Sequence, residues 1–407
     1  MAFRGAIAAL AVLGAAAPAR AQDVDVAALP DVTDRDFALD AYWGSVLGSG
    51  QITGMGGAAL ATAEGSAAMI VNPASPASRP ATSNDKWSWD WHIDWLNPTI
   101  GSDSDDNGIP TSTMSECGLL KLGQCAYFTG GLVGQYKQWA LGVSSSILHS
   151  DAGTLEAFNT LVQVVVARSF LREQIVAGLA GRFSTFSLND PIDPGQRALF
   201  SITGGSFEAG GLWKPAERNL RVGASVSLPV LSNQVQVEDC DPMDCRGYIL
   251  PARVRTPWRT GAGVAWRFGP TPWNRKVKSD WRDEKSLTLA GDVVVTGRSP
   301  RSYGLEAFAA RKLQPSGRHT VFSVRAGAEY EWLPGRLRVR GGSYWEPSRF
   351  EDQNGDDVPG RLHFTFGLEV RIWSFCFWGD RYRARLSLTA DGADRYGNGA
   401  VSVGFWH

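Results

Sequence analysis

The sequence predicts an all-β fold, a transmembrane antiparallel β-barrel, and three observations carry that expectation. In Trp87-Ser-Trp89-Asp-Trp91-His-Ile93-Asp-Trp95 a bulky apolar residue stands at every second position, the period at which a strand shows one face. The alternation recurs along the chain, as in Phe322, Val324, Ala326, Ala328, Tyr330 and Trp332, and again in Leu362, Phe364, Phe366, Leu368, Val370 and Ile372. The third observation is composition. Sixteen Trp and 46 Gly in 407 residues suit aromatic girdles and curved strands. Strands with one face in lipid satisfy their backbone groups only by closing into a ring. An ordinary secreted sandwich with a greasy core is the competing fold.

The elements follow in chain order. Residues 1–21, with Arg4, an apolar run from Ala6 to Ala17 and Ala19-Arg20-Ala21, read as a signal peptide. Past it, no stretch approaches the roughly 18 apolar residues that a spanning helix needs. Residues 22–85 lack strand alternation. They open with an acidic arm holding Asp23, Asp25, Asp31, Asp34, Asp36 and Asp40, and continue as a plug or hatch rich in Ala, Gly and Pro. Either a lumen plug or a periplasmic arm fits this composition.

Residues 86–407 form the barrel. Candidate strands recur near 87–96, 124–136, 138–149, 157–171, 174–188, 199–213, 219–231, 253–268, 286–297, 303–313, 320–333, 336–346, 360–373, 382–391 and 400–406. Bacterial single-chain barrels have an even number of strands, so one of these is a loop or hatch element and about 14 strands, within 12 to 16, are expected. Long polar links at Asn97 to Gly123, Ser232 to Ala252 and Pro347 to Pro359 read as outer loops, and Leu333-Pro-Gly-Arg336 reads as a periplasmic turn. Polar residues between the apolar ones face the lumen. Arg325, Glu329, Arg338, Arg340, Arg361, Glu369 and Arg371 are the candidate lumen charges, with ion pairing among themselves the default over contact with a cargo carboxylate.

Charge and motifs exclude several function classes. Forty Lys and Arg against 41 Asp and Glu leave a net charge of -1, not the basic field that gathers nucleic acid. Five histidines carry no serine or cysteine signature, and no nucleophile elbow or phosphate loop is present, so no enzyme and no cofactor are expected. His363 reads as a lumen residue. Cys117 with Cys125 and Cys240 with Cys245 are candidate loop disulfides, in preference to metal ligands, and Cys376 reads as an inert buried thiol. Asp103-Ser-Asp105-Asp-Asn107-Gly108 copies the first half of a calcium loop, but Met114 stands where the bidentate glutamate is required, which favours a solvated outer loop. Asp352-Gln-Asn354-Gly355-Asp356-Asp357 is a weaker echo.

Gly54-Met-Gly56-Gly57-Ala58, then Ala67-Ala68 and Asn72-Pro73-Ala74, resemble the hatch of the outer-membrane long-chain fatty acid transporter family, the FadL type. Leu250-Pro251 with the 253–268 strand, Arg325 to Tyr330 and Arg340 to Ser348 resemble that family's late strands in the same order. The resemblance covers most of the chain after residue 48. Two features depart from it: the long acidic arm, and a chain end of Phe405-Trp406-His407 in place of a terminal Phe or Trp.

The resemblance implies a plugged 14-stranded barrel in the bacterial outer membrane that passes long-chain fatty acids or similar hydrophobic molecules without energy input. It points to Gly54, Gly56, Gly57, Asn72, Pro73 and Ala74 as gating residues, with membrane lipids and the barrel-assembly machinery as partners. The second function it allows is a non-transporting barrel that binds or scaffolds a partner in protein or lipid export, reached on the periplasmic side through the acidic arm.

Overall fold

A period-two sequence becomes a strand, and strands whose two edges are both paired become a ring. The computed structural model describes residues 23–79, 87–98, 103–110, 127–190, 198–237, 240–277, 281–377 and 380–406. The signal segment and the pair Cys117 and Cys125 lie outside the described residues. Within them fourteen strands build the wall: β1 (Trp87–Asn97), β2 (Tyr127–Tyr136), β3 (Trp139–Ala152), β4 (Leu155–Phe170), β5 (Ile175–Asn189), β6 (Ala198–Trp213), β7 (Leu220–Ser227), β8 (Arg259–Phe268), β9 (Leu287–Thr296), β10 (Val321–Leu333), β11 (Leu337–Glu346), β12 (Arg361–Phe377), β13 (Asp380–Ala393) and β14 (Tyr396–Phe405). Neighbours in sequence pair antiparallel throughout, and β14 closes on β1 with Val401 opposite Trp95 and Val403 opposite Ile93. Two short helices accompany the wall, α1 (Gly50–Gly54) and α2 (Leu305–Ala309). The fifteenth candidate, 303–313, is no wall strand. It holds the end of the two-residue strand Ser302–Tyr303 and then α2.

The two faces separate as the alternation requires. On β1 the tryptophans look outward while Asp90, His92 and Asp94 are buried inside. Phe183, Phe207, Phe322 and Phe364 stand 57–61% exposed on the outside. Burying one such ring is worth about 1.5–3 kcal/mol, so a continuous belt of them is stable only against acyl chains. No helix among the described residues is long and apolar enough to cross a membrane.

Prolines shape one sector of the rim. Pro229 and Pro257 face each other across the β7–β8 pair, because Ser227 lies opposite Arg259 and Val230 opposite Thr256. Neither can donate to the ladder. Beyond them Arg253–Thr256 leaves β9 and pairs in parallel with Ala38–Asp40, which also pairs with Ser302–Tyr303. The acidic arm is thus woven into the long-loop end of the barrel. This departs from the periplasmic reading: Asp40 meets Arg349 in a buried ion pair, and the exposed Asp23, Asp31 and Asp36 meet Arg395, Lys312 and Arg301, all basic groups of that end. Phe37 and Leu39 pack there with Leu155, Phe186, Leu199, Phe200, Leu250 and Phe308.

Cys240 and Cys245 are disulfide-bonded in the 232–252 loop, as expected. Cys376 is exposed, not buried. A bulge between Arg371 and Trp373 shifts the β12–β13 register by one residue and reassigns the faces below it.

Candidate functional site

The segment 42–79 runs inside the ring and is held by inward-facing wall side chains. Ser49 caps α1 by accepting from the Ile52 amide, and the Gly50 amide donates to Ser402 Oγ at 2.9 Å. The Ala59 and Leu60 amides both donate to Asp292 Oδ2, at 2.8 and 2.9 Å. The Ser66 amide donates to Asp90 Oδ2 at 2.6 Å, and its hydroxyl lies 3.0 Å from His92 Nδ1. Tyr344 Oη accepts from the Val46 amide at 3.1 Å and donates to Asp391 at 2.7 Å.

Each expected hatch residue has a definite place. Gly56 and Gly57 adopt φ of +59° and +74°, which only glycine takes without strain. Here Met55 and Gly56 lie on Gly327 and Gly342 of the wall, so close that a Cβ on Gly327 would stand 2.4 Å from the Met55 carbonyl oxygen. The Gly54 carbonyl accepts from Thr365 Oγ1 at 3.2 Å. Asn72 donates to the Leu60 and Gly211 carbonyls at 3.0 and 3.1 Å and accepts from the Ala74 amide. Pro73 and Ala74 press on Gly178, where a Cβ would meet the Pro73 carbonyl oxygen at 1.9 Å.

The candidate lumen charges divide into two groups. Arg340 binds Glu329 at 2.7 Å and Glu369 at 2.9 Å, Arg385 shares Glu369, and Arg338 reaches Glu331 and Glu369. Arg361 binds Glu346 at 2.7 Å and the carbonyls of Asp103 and Ser104. His363, 0% exposed, lies between Glu346 at 2.6 Å and Asp391 at 2.9 Å. These are wall ion pairs, the expected default. Arg371 is half-buried and in no ion pair among the described residues.

Arg325 differs. It is buried, hydrogen-bonds Ser323 Oγ and, at 3.5 Å, the Gly57 carbonyl, and forms no close ion pair among the described residues, its acidic neighbour being Asp292 opposite it on β9. Arg259, not singled out from the sequence, likewise has no ion pair there and opens into the same space. That space is a cavity of about 100 Å³ between wall and inner segment. Val46, Ile52, Leu60 and Ile70 give it an apolar side, and Arg182, Arg259 and Arg325 a cationic one. Glu208, 3.6 Å from Arg182, is its one wall carboxylate. On the turn side lies a second, charged cavity of about 130 Å³, among whose lining residues are Arg282, Glu329, Glu331 and Arg340.

At the mouth, the loop Asp103–Gly108 is buried against α2. Asp103 accepts from the Asn107 and Gly108 amides, and Asn107 Nδ2 donates to Asp105 at 3.2 Å and to Glu306 at 2.7 Å. Burial, with the charge of Asp103 added, pushes the Asp105 carboxyl up to about 8. Burial and the nearby Asp105 raise Glu306 as well. In the Asp352 loop the carboxylate accepts from the Asn354 and Asp356 amides, and these hold its pKa down.

No protein-family model matches the chain, and no curated protein matches it. Among solved structures, two crystal structures of the toluene transporter TodX of Pseudomonas putida superpose at TM-scores of 0.52 and 0.51, both at 13% identity, over 90% and 91% of this chain and 99% of theirs. A FadL homologue of Pseudomonas aeruginosa gives a TM-score of 0.48 at 13% identity, over 93% of this chain and 99% of that one. The TodX superpositions show that the fold, a barrel of the same architecture, is shared.

Proposed function

We propose that this chain is a passive channel of the bacterial outer membrane for hydrophobic small molecules, long-chain fatty acids or similar, in which the segment around Gly54 to Ala74 is a movable hatch. One observation carries the reading: a chamber with hydrocarbon on the hatch side and unpaired guanidinium groups, Arg259 and Arg325, on the wall side. An alkyl tail entering it gains about 0.8 kcal/mol per CH2 taken out of water. A carboxylate head gains a charge-assisted hydrogen bond from either arginine. Neutral hydrophobes use the apolar side alone, and the shared fold with proteins named as toluene transporters agrees with that use.

Transport then needs no cofactor, only a gradient and displacement of the hatch. The turn-side cavity sets Met55, Trp273, Phe405 and Trp406 beside its charges, so a tail leaving the chamber meets apolar surface there before release toward lipid or periplasmic acceptors.

The test is uptake of a labelled long-chain acid and of a neutral hydrocarbon into proteoliposomes. The Arg259→Gln, Arg325→Gln double variant should lower acid uptake by about tenfold, the equivalent of losing one charged hydrogen bond, and leave hydrocarbon uptake unchanged. Deletion of residues 54–74 should raise leakage of both. If neither variant differs from wild type for either solute, the channel reading is wrong and a scaffold role replaces it.

A further inference from the structure

At its turn-side end the barrel gathers more positive charge than the neighbouring carboxylates neutralise. We propose that Lys214 and Arg172 form a binding site there for a compact oxyanion, a phosphate group, either free or as the head group of an amphiphile. The two residues line a third cavity, of about 350 Å³, bounded by the β4–β5 turn, the β6–β7 turn, the stretch 273–276 and Arg79 at the end of the inner segment. It adjoins the charged cavity, since Arg221 and Trp273 line both, with the Arg221 guanidinium 3.8 Å from the centre of the Trp273 ring. Neither Lys214 nor Arg172 lines the chamber of Arg259 and Arg325, so the proposal is independent of what the barrel carries.

The acids around the cavity are already committed. Glu173 pairs with Lys276 at 2.7 Å, Glu64 with Arg221 at 2.6 Å, and Glu217 with Arg275. Lys214 and Arg172 are in no ion pair among the described residues. Lys214 is 6% exposed, yet its three N–H groups find only two neutral acceptors, Ser78 Oγ at 3.3 Å and the Arg79 carbonyl at 3.5 Å. Both contacts are longer than an ordinary N–H···O bond. A buried ammonium held this loosely is unfavourable until an anion joins it. The neutral lining does not compete for that anion, because Asn274 is bonded to the Pro215 and Leu220 carbonyls and to Arg221, and Gln174 to the Ala216 amide and the Leu171 carbonyl. Arg172, exposed on the β4–β5 turn, adds a second charge and a planar fork suited to two phosphate oxygens. Two uncommitted cations match the charge of a phosphate monoester, whereas one carboxylate leaves a cation over.

Occupation has two consequences. Because Lys214 also holds Ser78 and Arg79, an anion bridging it to Arg172 ties the end of the inner segment to the β4–β5 turn. The second is a pH dependence. Burial brings the Lys214 ammonium, just beyond the end of β6, down to about 8, with Arg221 and Lys276 lowering it further and Glu64 and Glu173 opposing them. The anion binds the protonated form, so affinity falls as pH rises through that value.

The experiment uses the purified full chain in a maltoside detergent and phosphate-free buffer. Inorganic phosphate and, separately, dihexanoyl phosphatidic acid are titrated by calorimetry from about pH 7.5 to about pH 9, across the Lys214 transition. Wild type should bind phosphate saturably and more weakly as pH rises. Lys214→Met, which keeps the stem and removes the charge, should lose about tenfold in affinity, the equivalent of one charged hydrogen bond, together with the pH dependence. Arg172→Gln should also bind more weakly but keep the pH dependence, and Arg218→Gln, on the β6–β7 turn outside the cavity lining, should bind as wild type. Tighter binding of the phosphatidic acid than of inorganic phosphate assigns the site to a lipid head group, and equal affinity assigns it to the free anion. The proposal is overturned if neither probe binds wild type saturably, or if Lys214→Met or Arg172→Gln binds as wild type does. Because Arg172 is exposed, its variant keeps the test open should Lys214→Met fail to fold.

Discussion

Two halves of the wall treat the inner segment differently. On β2–β6 the lumen face beside residues 69–77 is small and apolar, apart from the Arg182–Glu208 pair: Val133, Ala140, Val165, Ala167, Val176, Ala180 and Leu212 pack on Met69, Ala74 and Ala77, while Gly178 and Gly210 let the Asn72-Pro73 backbone approach. On β10–β13 the lumen face is a ladder of charges, Glu329, Arg340, Glu369 and Arg385, bonded to one another across the strands. The neutral half holds the segment by close fit. The charged half holds itself, because its ion pairs run from wall to wall and do not involve the inner segment. Coupling between segment and wall charge runs through Asp292 with the Ala59 and Leu60 amides, Asp90 with the Ser66 amide, Lys214 with Ser78 and Arg221 with Glu64. A shift of the segment against the neutral half therefore leaves the β10–β13 ion pairs intact and strains chiefly its bonds to Asp90 and Lys214.

The largest effect is expected from breaking the charged half. Glu369→Gln removes the carboxylate shared by Arg340 and Arg385, both buried, and an uncompensated buried charge costs about 3–5 kcal/mol. The loss should appear as a lower unfolding midpoint of the whole barrel in lipid, with protease access to residues 66–78 unchanged below that midpoint. If the variant instead frees 66–78 while the barrel midpoint stays put, the division between the two halves is wrong.

The complementary variant is Gly178→Ala. Its methyl group would stand 1.9 Å from the Pro73 carbonyl oxygen, so the segment must move. Overpacking of this kind costs about 1–3 kcal/mol. Here the barrel midpoint should hold, hydrogen exchange at 66–78 should speed up, and single-channel conductance should rise. A fall in barrel midpoint comparable to that of Glu369→Gln would mean that the segment is part of the wall's stability and not a separable insert.

How much of this was legible in sequence depends on whether a contact is local. The outward belt follows from period two alone, and the tryptophans of β1 lie where alternation puts them. The charge ladder was legible too, since Arg338, Arg340 and Glu369 fall on the polar phase of clean strands. The neutral half was not. Leu161-Val-Gln-Val-Val-Val-Ala167 is nearly continuous in apolar residues, so its inward Val165 and Ala167 could not be told from lipid-facing neighbours. Arg259 was hidden by Pro257, which breaks a strand that reads as unbroken from 253 to 268. Glu306 and the parallel pairing of the arm depend on contacts across hundreds of residues, for which one sequence holds no signal. Cys376 was misplaced because flanking Phe375 and Phe377 suggest cover, whereas at the far end of β12 the position is exposed.

Asn72 separates the two readings of the Asn-Pro-Ala turn with the smallest expected effect. As a turn former it needs only to accept from the Ala74 amide; as a tether it also donates to Leu60 within the segment and to Gly211 in the wall. Asn72→Asp keeps the acceptor and removes the donors, and Asn72→Ala removes both. Leaving the Leu60 and Gly211 carbonyls without this donor costs about 1–2 kcal/mol, so both variants should speed hydrogen exchange at 66–78 by roughly five- to thirtyfold with no change in barrel midpoint. If Asn72→Asp exchanges like wild type and only Asn72→Ala is faster, the side chain acts within its own turn. The neutral half would then hold the segment by shape alone, through Gly178 and Gly210.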